Sequence, residues 1–187
     1  MTPEEALEVL ARNRGDALVL TTMGAVGIWP KLSDTPLDFA YMPSAMGQGP
    51  ALGLGLALAL PNRRVIAVCG DGSLIMNLGC LITIASYPAQ LYLVVMDNGM
   101  YEVTGGQPIV GSRQIDFARI AEGAGIRRVY HFRDRNSWET HAASCLEPPG
   151  PVFIWLEVIG RPGQKTPQPP RPMPEQIRRL QSALGIR

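Results

Sequence analysis

Two short motifs in this 187-residue chain place acidic side chains beside glycines, directly after apolar runs. The first, Gly70-Asp71-Gly72, follows the apolar run 65–69 and precedes another apolar stretch that starts at Ser73. The second, Asp97-Asn98-Gly99, follows the apolar run 91–96. A tight turn would also explain an acid next to a glycine. The strands and helices predicted around the two motifs are therefore needed to distinguish a simple turn from a binding site.

The segments around these motifs alternate between unbroken apolar runs and helical patterns. The predicted strands cover residues 17–21, 37–42, 65–69, 91–96, 126–132 and 151–159. The predicted helices cover residues 3–13, 46–60, 73–86, 115–124, 137–146 and 175–184. Unbroken apolar strands are typical of a parallel sheet with helices on both faces, so we predict an α/β fold of three layers. Ligands bind beyond the carboxyl ends of such strands, where both motifs lie.

A helix that begins at Ser73 would place free N–H groups and a positive dipole end beside Asp71. A helix start of this kind favours an anion, commonly phosphate. Because the Asp71 carboxylate repels a phosphate, a cation between them is needed, and Mg²⁺ takes oxygen ligands from protein and phosphate together. Asn98 can supply a second oxygen, and a carbonyl of the following loop a third. Glycines 70 and 72 would allow the backbone to approach a diphosphate closely.

The two motifs together resemble the signature of thiamine-diphosphate-dependent enzymes, in which GDG is followed at a fixed interval by an Asn-containing pair. Asn98 follows Asp71 by 27 positions, which fits that interval. The usual pair is Asn-Asn, whereas this chain has Asp97-Asn98, and the second position carries the metal ligand in the family. The resemblance implies that Asp71, Asn98 and the main-chain carbonyl of Met100 bind Mg²⁺.

The same resemblance implies contacts between the chain and thiamine diphosphate. It implies that Gly70, Gly72 and Ser73 contact the diphosphate, the last two through their backbone groups. It also implies that Gly24 and Ala25, in the loop MGAVGIWP after the first strand, contact the diphosphate.

The segment MPSAMGQGPALGLGLALALP is similar to the part of the family that holds the cofactor bent. The resemblance makes Met46 the apolar wedge between the two cofactor rings, and it makes the Ser44 carbonyl an acceptor for the aminopyrimidine. An ordinary core position at a helix start is the alternative for Met46. Glycines at 47, 49, 53 and 55 favour close packing, either against a partner subunit or within the chain.

In this family the cofactor lies between a diphosphate-binding domain and a pyrimidine-binding domain, and the second supplies an activating glutamate. This chain matches only the first, over roughly residues 15–160, and its length leaves no room for the other. We therefore predict a diphosphate domain at 1–160, and a Pro-rich arm with a terminal helix at 161–187. A separate pyrimidine-domain subunit is expected to complete the active site, and homo-oligomer contacts stay open.

The stretches GDGSLIMNLGCLITIA and LVVMDNGMYEVTGGQP, together with the short length, resemble the group of sulfopyruvate and phosphonopyruvate decarboxylases. The resemblance implies decarboxylation of a small 2-oxo acid, for which the cofactor ring acts as the electron sink. Tyr101, Glu102 and Thr104 follow the predicted metal ligands and are the catalytic candidates. An ordinary loop carboxylate is the alternative for Glu102. Gln107 and Arg113 are candidates for binding the distal anion of the substrate, and a solvated arginine is the alternative for Arg113.

Composition narrows the classes of function. A net charge of +1 gives no sign of a nucleic-acid or membrane partner. The longest apolar run, residues 51–60, is too short for a bilayer, which requires roughly 17–25 residues. Cys69, Cys80 and Cys145 form no CxxC pair, and the acidic N-terminus does not resemble a secretory signal. We expect a cytoplasmic protein.

Other interpretations stay open at this stage. The chain could be a non-catalytic thiamine-diphosphate-binding module, or half of another such enzyme, for example a 2-oxoacid oxidoreductase. A different nucleotide-phosphate site is a third alternative, although no P-loop motif is present. The arm could wrap a neighbouring subunit, cover the site or lie loosely on the surface. Its basic residues are expected on a solvated face, and His131 and His141 are expected in surface or packing roles without a nearby carboxylate.

Overall fold

The computed structural model describes residues 1–163 and 166–186, apart from the Arg113 side chain. The strands are β1 (Leu18–Thr21), β2 (Asp38–Ala40), β3 (Val65–Gly70), β4 (Leu91–Asp97), β5 (Met100–Tyr101), β6 (Gln107–Pro108), β7 (Arg128–Phe132) and β8 (Val152–Glu157). The helices are α1 (Pro3–Asn13), α2 (Gly49–Ala59), α3 (Asp71–Ile75), α4 (Cys80–Ser86), α5 (Phe117–Gly123), α6 (Arg135–Leu146) and α7 (Met173–Leu184). None of the helices in these ranges is both long and apolar enough to cross a bilayer.

Six strands form one parallel sheet in the order β2-β1-β3-β4-β8-β7. β5 and β6 form a separate antiparallel hairpin in the loop after β4. Strands β3 and β4 are neighbours, and their register places Gly70 opposite Met96. The Gly70-Asp71-Gly72 and Asp97-Asn98-Gly99 motifs therefore meet at the carboxyl edge of the sheet, as the parallel arrangement predicts.

Helices cover both faces of the sheet, because successive residues of a strand point to opposite sides. On one face, Ile66 and Val94 pack with α1 and α6, which contribute Leu7 and Trp138. The other face packs against α2, α4, α5 and α7, through residues that include Leu54, Leu81, Ile84, Phe117 and Leu180. The predicted three-layer α/β fold is confirmed, and all three cysteines are buried and unpaired.

The predicted helix over 73–86 is wrong, because the structure divides it in two. α3 begins two residues earlier, at Asp71, and ends at Ile75, and α4 begins only at Cys80. Between them Asn77 donates from Nδ2 to the Gly47 carbonyl at 3.2 Å. Asn and Gly are poor helix formers, and this contact gives the Asn77 side chain a partner outside the helix. The break leaves α3 as a separate short helix of five residues.

The glycines of α2 have different roles. A Cβ atom at Gly49 would lie 2.8 Å from Thr22 Cγ2, and one at Gly53 would lie 2.8 Å from Ala67 Cβ. These two glycines therefore serve packing within the chain. A Cβ at Gly55 would meet none of the described residues within 4 Å, so this position faces outward and is open to a partner.

The terminal helix α7 packs on the edge of this chain's own sheet, so the arm is not loose there. Gln176, 4% exposed, accepts from the Ala40 N–H at 2.8 Å and donates to the Ala40 carbonyl at 3.2 Å. Arg171 makes two hydrogen bonds with Asp34, at 2.7 and 2.6 Å, and Arg179 makes another at 3.0 Å. These partners lower the pKa of Asp34 to about 2. The arm's cations are thus not all solvated, and Lys165 lies outside the described residues.

Replacing Gln176 with leucine is expected to lower the free energy of unfolding by about 1–3 kcal/mol, because it leaves the buried Ala40 N–H without an acceptor and removes one of the two donors to the Ala40 carbonyl, which keeps the Met42 N–H. Chemical denaturation followed by circular dichroism measures this loss. Gln181→Leu is the matched control, since Gln181 is exposed on the same helix, and it should change stability by less than about 0.5 kcal/mol. Equal effects of the two variants would contradict the edge contact.

Candidate functional site

A cleft opens at the carboxyl ends of β1, β3 and β4. Its walls come from the loop after β1, from α3, and from the loop after β4. Almost all predicted site residues line this cleft: Gly24, Ala25, Met46, Gly70, Asp71, Gly72, Ser73, Asn98, Met100, Tyr101, Glu102 and Thr104. The tertiary structure thus brings together residues from four separate stretches of the chain.

Asp71 is the more deeply buried of the two buried carboxyl groups that line this cleft. It begins α3, is 2% exposed, and accepts at Oδ2 from the Gly99 N–H at 2.8 Å. Burial, and then the neighbouring Asp97, raise the pKa of Asp71 to about 8. No described Lys, Arg or His side chain forms an ion pair with Asp71. A bound cation would remove the cost of burying this charge beside another carboxylate.

Asn98 and Met100 present the other two predicted metal-binding groups. Asn98 Oδ1 accepts from the Met100 N–H at 3.0 Å, so the side chain folds back over its own turn. Gly99, at φ +72°, makes this turn possible. A carboxylate, an amide and a main-chain carbonyl are the oxygen ligands that suit Mg²⁺. Among the described residues, no three His, Cys, Asp or Glu side chains are placed to hold a metal ion together.

Gly72 and Tyr101 are in direct contact. A Cβ atom at Gly72 would lie 2.6 Å from Tyr101 Cδ1 and 2.8 Å from its Cε1. The Tyr101 ring therefore packs on the backbone at the start of α3, and only glycine allows this approach. This contact places the ring in the cleft next to the predicted diphosphate-binding backbone.

Comparison with known proteins identifies the family. Residues 21–156 match the thiamine pyrophosphate enzyme family, in its C-terminal TPP binding domain. The chain belongs to this family. It is 37% identical over 165 residues to a protein of Methanothermobacter thermautotrophicus named sulfopyruvate decarboxylase subunit beta, covering 85% of this chain and 82% of that one.

Longer proteins match as well. The chain is 36% identical over 160 residues to the phosphonopyruvate decarboxylase of Streptomyces viridochromogenes, which covers 84% of this chain but only 39% of the relative. Its fold resembles the solved structure of benzoylformate decarboxylase from Polynucleobacter necessarius, with a TM-score of 0.74 at 19% identity. That match covers 90% of this chain and 34% of the other, and it supports the TPP-enzyme fold alone.

Glu102 is not an ordinary solvated loop carboxylate in this TPP-binding domain. It is buried and accepts at Oε1 from the Arg161 N–H at 2.8 Å and at Oε2 from Asn98 Nδ2 at 3.2 Å. The Arg161 side chain pairs with Glu4 and lies 3.8 Å from Glu102. Arg161 is thus a wall of the cleft and not part of a solvated face, which corrects the sequence-based expectation.

The segment before α2 is pinned to α3. Gly47, at φ +82°, donates from its N–H to Ser73 Oγ at 3.1 Å and accepts from Asn77 at 3.2 Å. Met46 is 49% exposed at the rim of the cleft, so an ordinary core position is excluded. Its role as a wedge between the cofactor rings stays a prediction. Ser44 does not line the cleft, and its buried Oγ has no hydrogen-bond partner among the described residues.

Sequence reasoning missed several residues of the TPP-domain cleft. Met23 follows β1 with φ +51°, a backbone conformation uncommon for a residue other than glycine, and it lines the cleft. Thr22 also lines the cleft and donates from Oγ1 to the Val68 carbonyl at 3.0 Å. No local pattern identifies either residue, because the backbone angle and the cross-strand partner exist only in the folded chain.

The expectation that His131 lacks a carboxylate neighbour is wrong. His131 Nε2 lies 2.8 Å from Glu157 Oε1, and its ring stacks on Trp155 with centroids 3.6 Å apart. The register of β7 and β8 places His131 opposite Trp155, and Glu157 follows two positions later on the same face. His141 is exposed, its Nδ1 lies 2.9 Å from the Ser137 carbonyl of its own helix, and its ring centroid lies 6.1 Å from that of Phe132, which agrees with a surface or packing role.

Proposed function

We propose that this chain is the diphosphate-binding subunit of a thiamine-diphosphate- and Mg²⁺-dependent 2-oxo acid decarboxylase. The observation that carries the proposal is the buried Asp71 carboxylate, which opens onto the same cleft as Asn98 and Met100. A carboxyl group buried next to Asp97 ionises readily only beside a positive partner, and the amide and carbonyl oxygens nearby complete a ligand set suited to Mg²⁺.

Each part of the cleft has a role in this proposal. Asp71, Asn98 and the Met100 carbonyl would hold Mg²⁺ against the diphosphate. Backbone groups of Gly72 and Ser73, and the loop after β1 with Gly24 and Ala25, would contact the diphosphate. When bound, thiamine diphosphate supplies an electron sink for the electrons left by the departing carboxylate group.

The substrate is expected to approach over the loop after β4. Tyr101 and Thr104 line the cleft there, and we assign them to substrate contact. Glu102 has partners on both oxygens, so its role in this proposal is to orient Asn98 rather than to transfer a proton. The two relatives are named for sulfopyruvate and phosphonopyruvate, which makes a 2-oxo acid with a distal anion the first substrate class to assay. Gln107 does not line the cleft, and the Arg113 side chain lies outside the described residues.

A separate pyrimidine-domain subunit would supply the other half of the active site. The chain spans most of a relative that is named a beta subunit, but well under half of the phosphonopyruvate decarboxylase. The described residues form one parallel sheet and a small hairpin, with no second sheet of domain size. A half-site of this kind is expected to bind cofactor without turning over substrate.

The test is reconstitution with a pyrimidine-domain protein that co-purifies with the chain. Release of carbon dioxide is measured with sulfopyruvate and phosphonopyruvate, in the presence and absence of Mg²⁺ and thiamine diphosphate. We expect turnover only when both chains, the metal and the cofactor are present. If the chain binds the cofactor and no pyrimidine-domain protein co-purifies with it, the result would instead support a non-catalytic module. Turnover that requires an electron acceptor would instead support a 2-oxoacid oxidoreductase.

A further inference from the structure

Asp97 lies between the cleft and the far half of the sheet, and both of its carboxylate oxygens have partners. It ends β4, opposite Glu157 of β8. Its Oδ1 accepts from the Gly99 N–H at 3.1 Å, and its Oδ2 accepts from Trp155 Nε1 at 2.9 Å. Asp97 thus connects a buried indole of β8 to the turn that carries Asn98 and Met100.

The indole of Trp155 is held on two sides. The ring of His131 stacks on it, with an interplanar angle of 4° and centroids 3.6 Å apart. The ring of Phe117 meets it edge-on, at 78° and 5.6 Å. Trp155 is also buried in the core between the sheet and α5. A ring fixed in this way has a fixed N–H direction, so it gives the Asp97 carboxylate a defined position.

Asp97 and Asp71 share the Gly99 N–H as a hydrogen-bond donor. This single donor lies 2.8 Å from Asp71 Oδ2 and 3.1 Å from Asp97 Oδ1. Any movement of Asp97 therefore moves the turn relative to Asp71. Since Asn98 and Met100 flank Gly99, the relative placement of all three predicted metal-binding groups depends on this contact.

We propose that Asp97, anchored by the indole N–H of Trp155, is a positioning residue that holds Asn98 and the Met100 carbonyl in register with Asp71 for Mg²⁺ binding. This inference rests on the proposed function, because it needs the cleft to bind a metal. Partners that orient metal ligands typically contribute ten- to a hundredfold to metal affinity.

The first test compares Trp155→Phe with Trp138→Phe in the complex with the pyrimidine-domain subunit. Both variants remove a buried indole N–H and keep an aromatic ring, but Trp138 donates to the Ala6 carbonyl on the other side of the sheet. Mg²⁺ is titrated calorimetrically at saturating thiamine diphosphate. We expect Trp155→Phe to weaken Mg²⁺ binding about tenfold or more and Trp138→Phe to leave it within twofold. Equal Mg²⁺ affinities for the two variants would overturn the proposal.

The second test uses conservative rescue at the carboxylate itself. Asp97→Asn keeps one acceptor oxygen, which can serve Trp155 or the Gly99 N–H but not both, whereas Asp97→Ala keeps none. A positioning role predicts that Asp97→Asn loses part of the Mg²⁺ affinity, and that Asp97→Ala loses more, at least as much as Trp155→Phe does. Wild-type Mg²⁺ affinity in Asp97→Ala would overturn the role assigned here.

Hydrogen–deuterium exchange separates this inference from the proposed function. Without metal or cofactor, Trp155→Phe should speed exchange at the amides of Gly99 and Met100, and Trp138→Phe should not. If the wild-type complex binds no thiamine diphosphate, the proposed function fails, and the exchange comparison still shows whether the Trp155–Asp97 contact holds the turn. Unchanged exchange in Trp155→Phe would overturn the inference whatever the cofactor result.

Discussion

Asp71→Asn is expected to abolish Mg²⁺-dependent binding of thiamine diphosphate, with a loss of affinity greater than about a hundredfold. Asparagine has nearly the same shape and keeps an acceptor for the Gly99 N–H, so the fold should be retained. It lacks the charge that would hold a divalent cation against a diphosphate. At ligand concentrations a hundred times Kd, the wild type gains about 2.7 kcal/mol of stability from binding, and the variant should gain none. Calorimetry and thermal unfolding measure the two effects.

The metal-free variant should also be no less stable than the wild type. Burial next to Asp97 raises the pKa of Asp71, so the neutral amide avoids the cost of ionising a second carboxyl group there. Asp16→Asn is the matched control, because Asp16 is a highly exposed carboxylate, and its cofactor affinity should be unchanged. A stable Asp71→Asn protein with wild-type affinity would contradict the site.

Asp38→Ala is expected to lower the free energy of unfolding by about 3–5 kcal/mol, the largest stability effect predicted for the chain. The Asp38 carboxylate accepts from Arg14 at 2.5 Å, Ser33 Oγ at 2.6 Å, the Thr35 N–H at 2.7 Å and Trp29 Nε1 at 2.9 Å. Its removal leaves the buried Arg14 guanidinium without a counter-charge. Denaturant unfolding measures the loss.

An exposed pair provides the comparison for this prediction. Asp16 lies 3.7 Å from Arg63 with its side chain 79% exposed, so Asp16→Ala should change stability by less than about 1 kcal/mol. A loss in Asp38→Ala as small as that in Asp16→Ala would show that the buried network does not stabilise the fold. The double variant Arg14→Met, Asp38→Leu should recover part of the loss, since no buried charge is then left unpaired.

The parts of this protein that follow from sequence alone are those set by neighbouring residues. The α/β fold came from unbroken apolar strands alternating with helices, because strand burial depends on local hydrophobicity. The capping box at Thr2 and Glu5 is also local and is present as the motif indicates. The cleft came from two motifs 27 positions apart, because parallel strands bring their carboxyl ends to one edge.

The break between α3 and α4 could not be derived from the same patterns. Apolar spacing over 73–86 fits one helix, and the partner that draws Asn77 out of it is the carbonyl of Gly47, 30 positions earlier. The packing of α7 on the sheet edge could not be predicted either, because it depends on hydrogen bonds between the polar side chain of Gln176 and the distant backbone of Ala40 in the edge strand.

Contacts between residues far apart in the chain determine which charged and polar groups act together. Glu102 meets Arg161 across 59 positions, and Asp97 meets Trp155 across 58. His131 reaches Glu157 because β7 lies beside β8 in a particular register. Hydrogen bonds between residues close in the chain can be predicted from local motifs. Pairs such as these depend on strand order and register, and a register shift of one residue would turn each side chain of a strand to the other face of the sheet. The fold class and the two motifs can therefore be predicted from the sequence, whereas the partners that position the motif side chains depend on the order and register of the strands in the folded sheet.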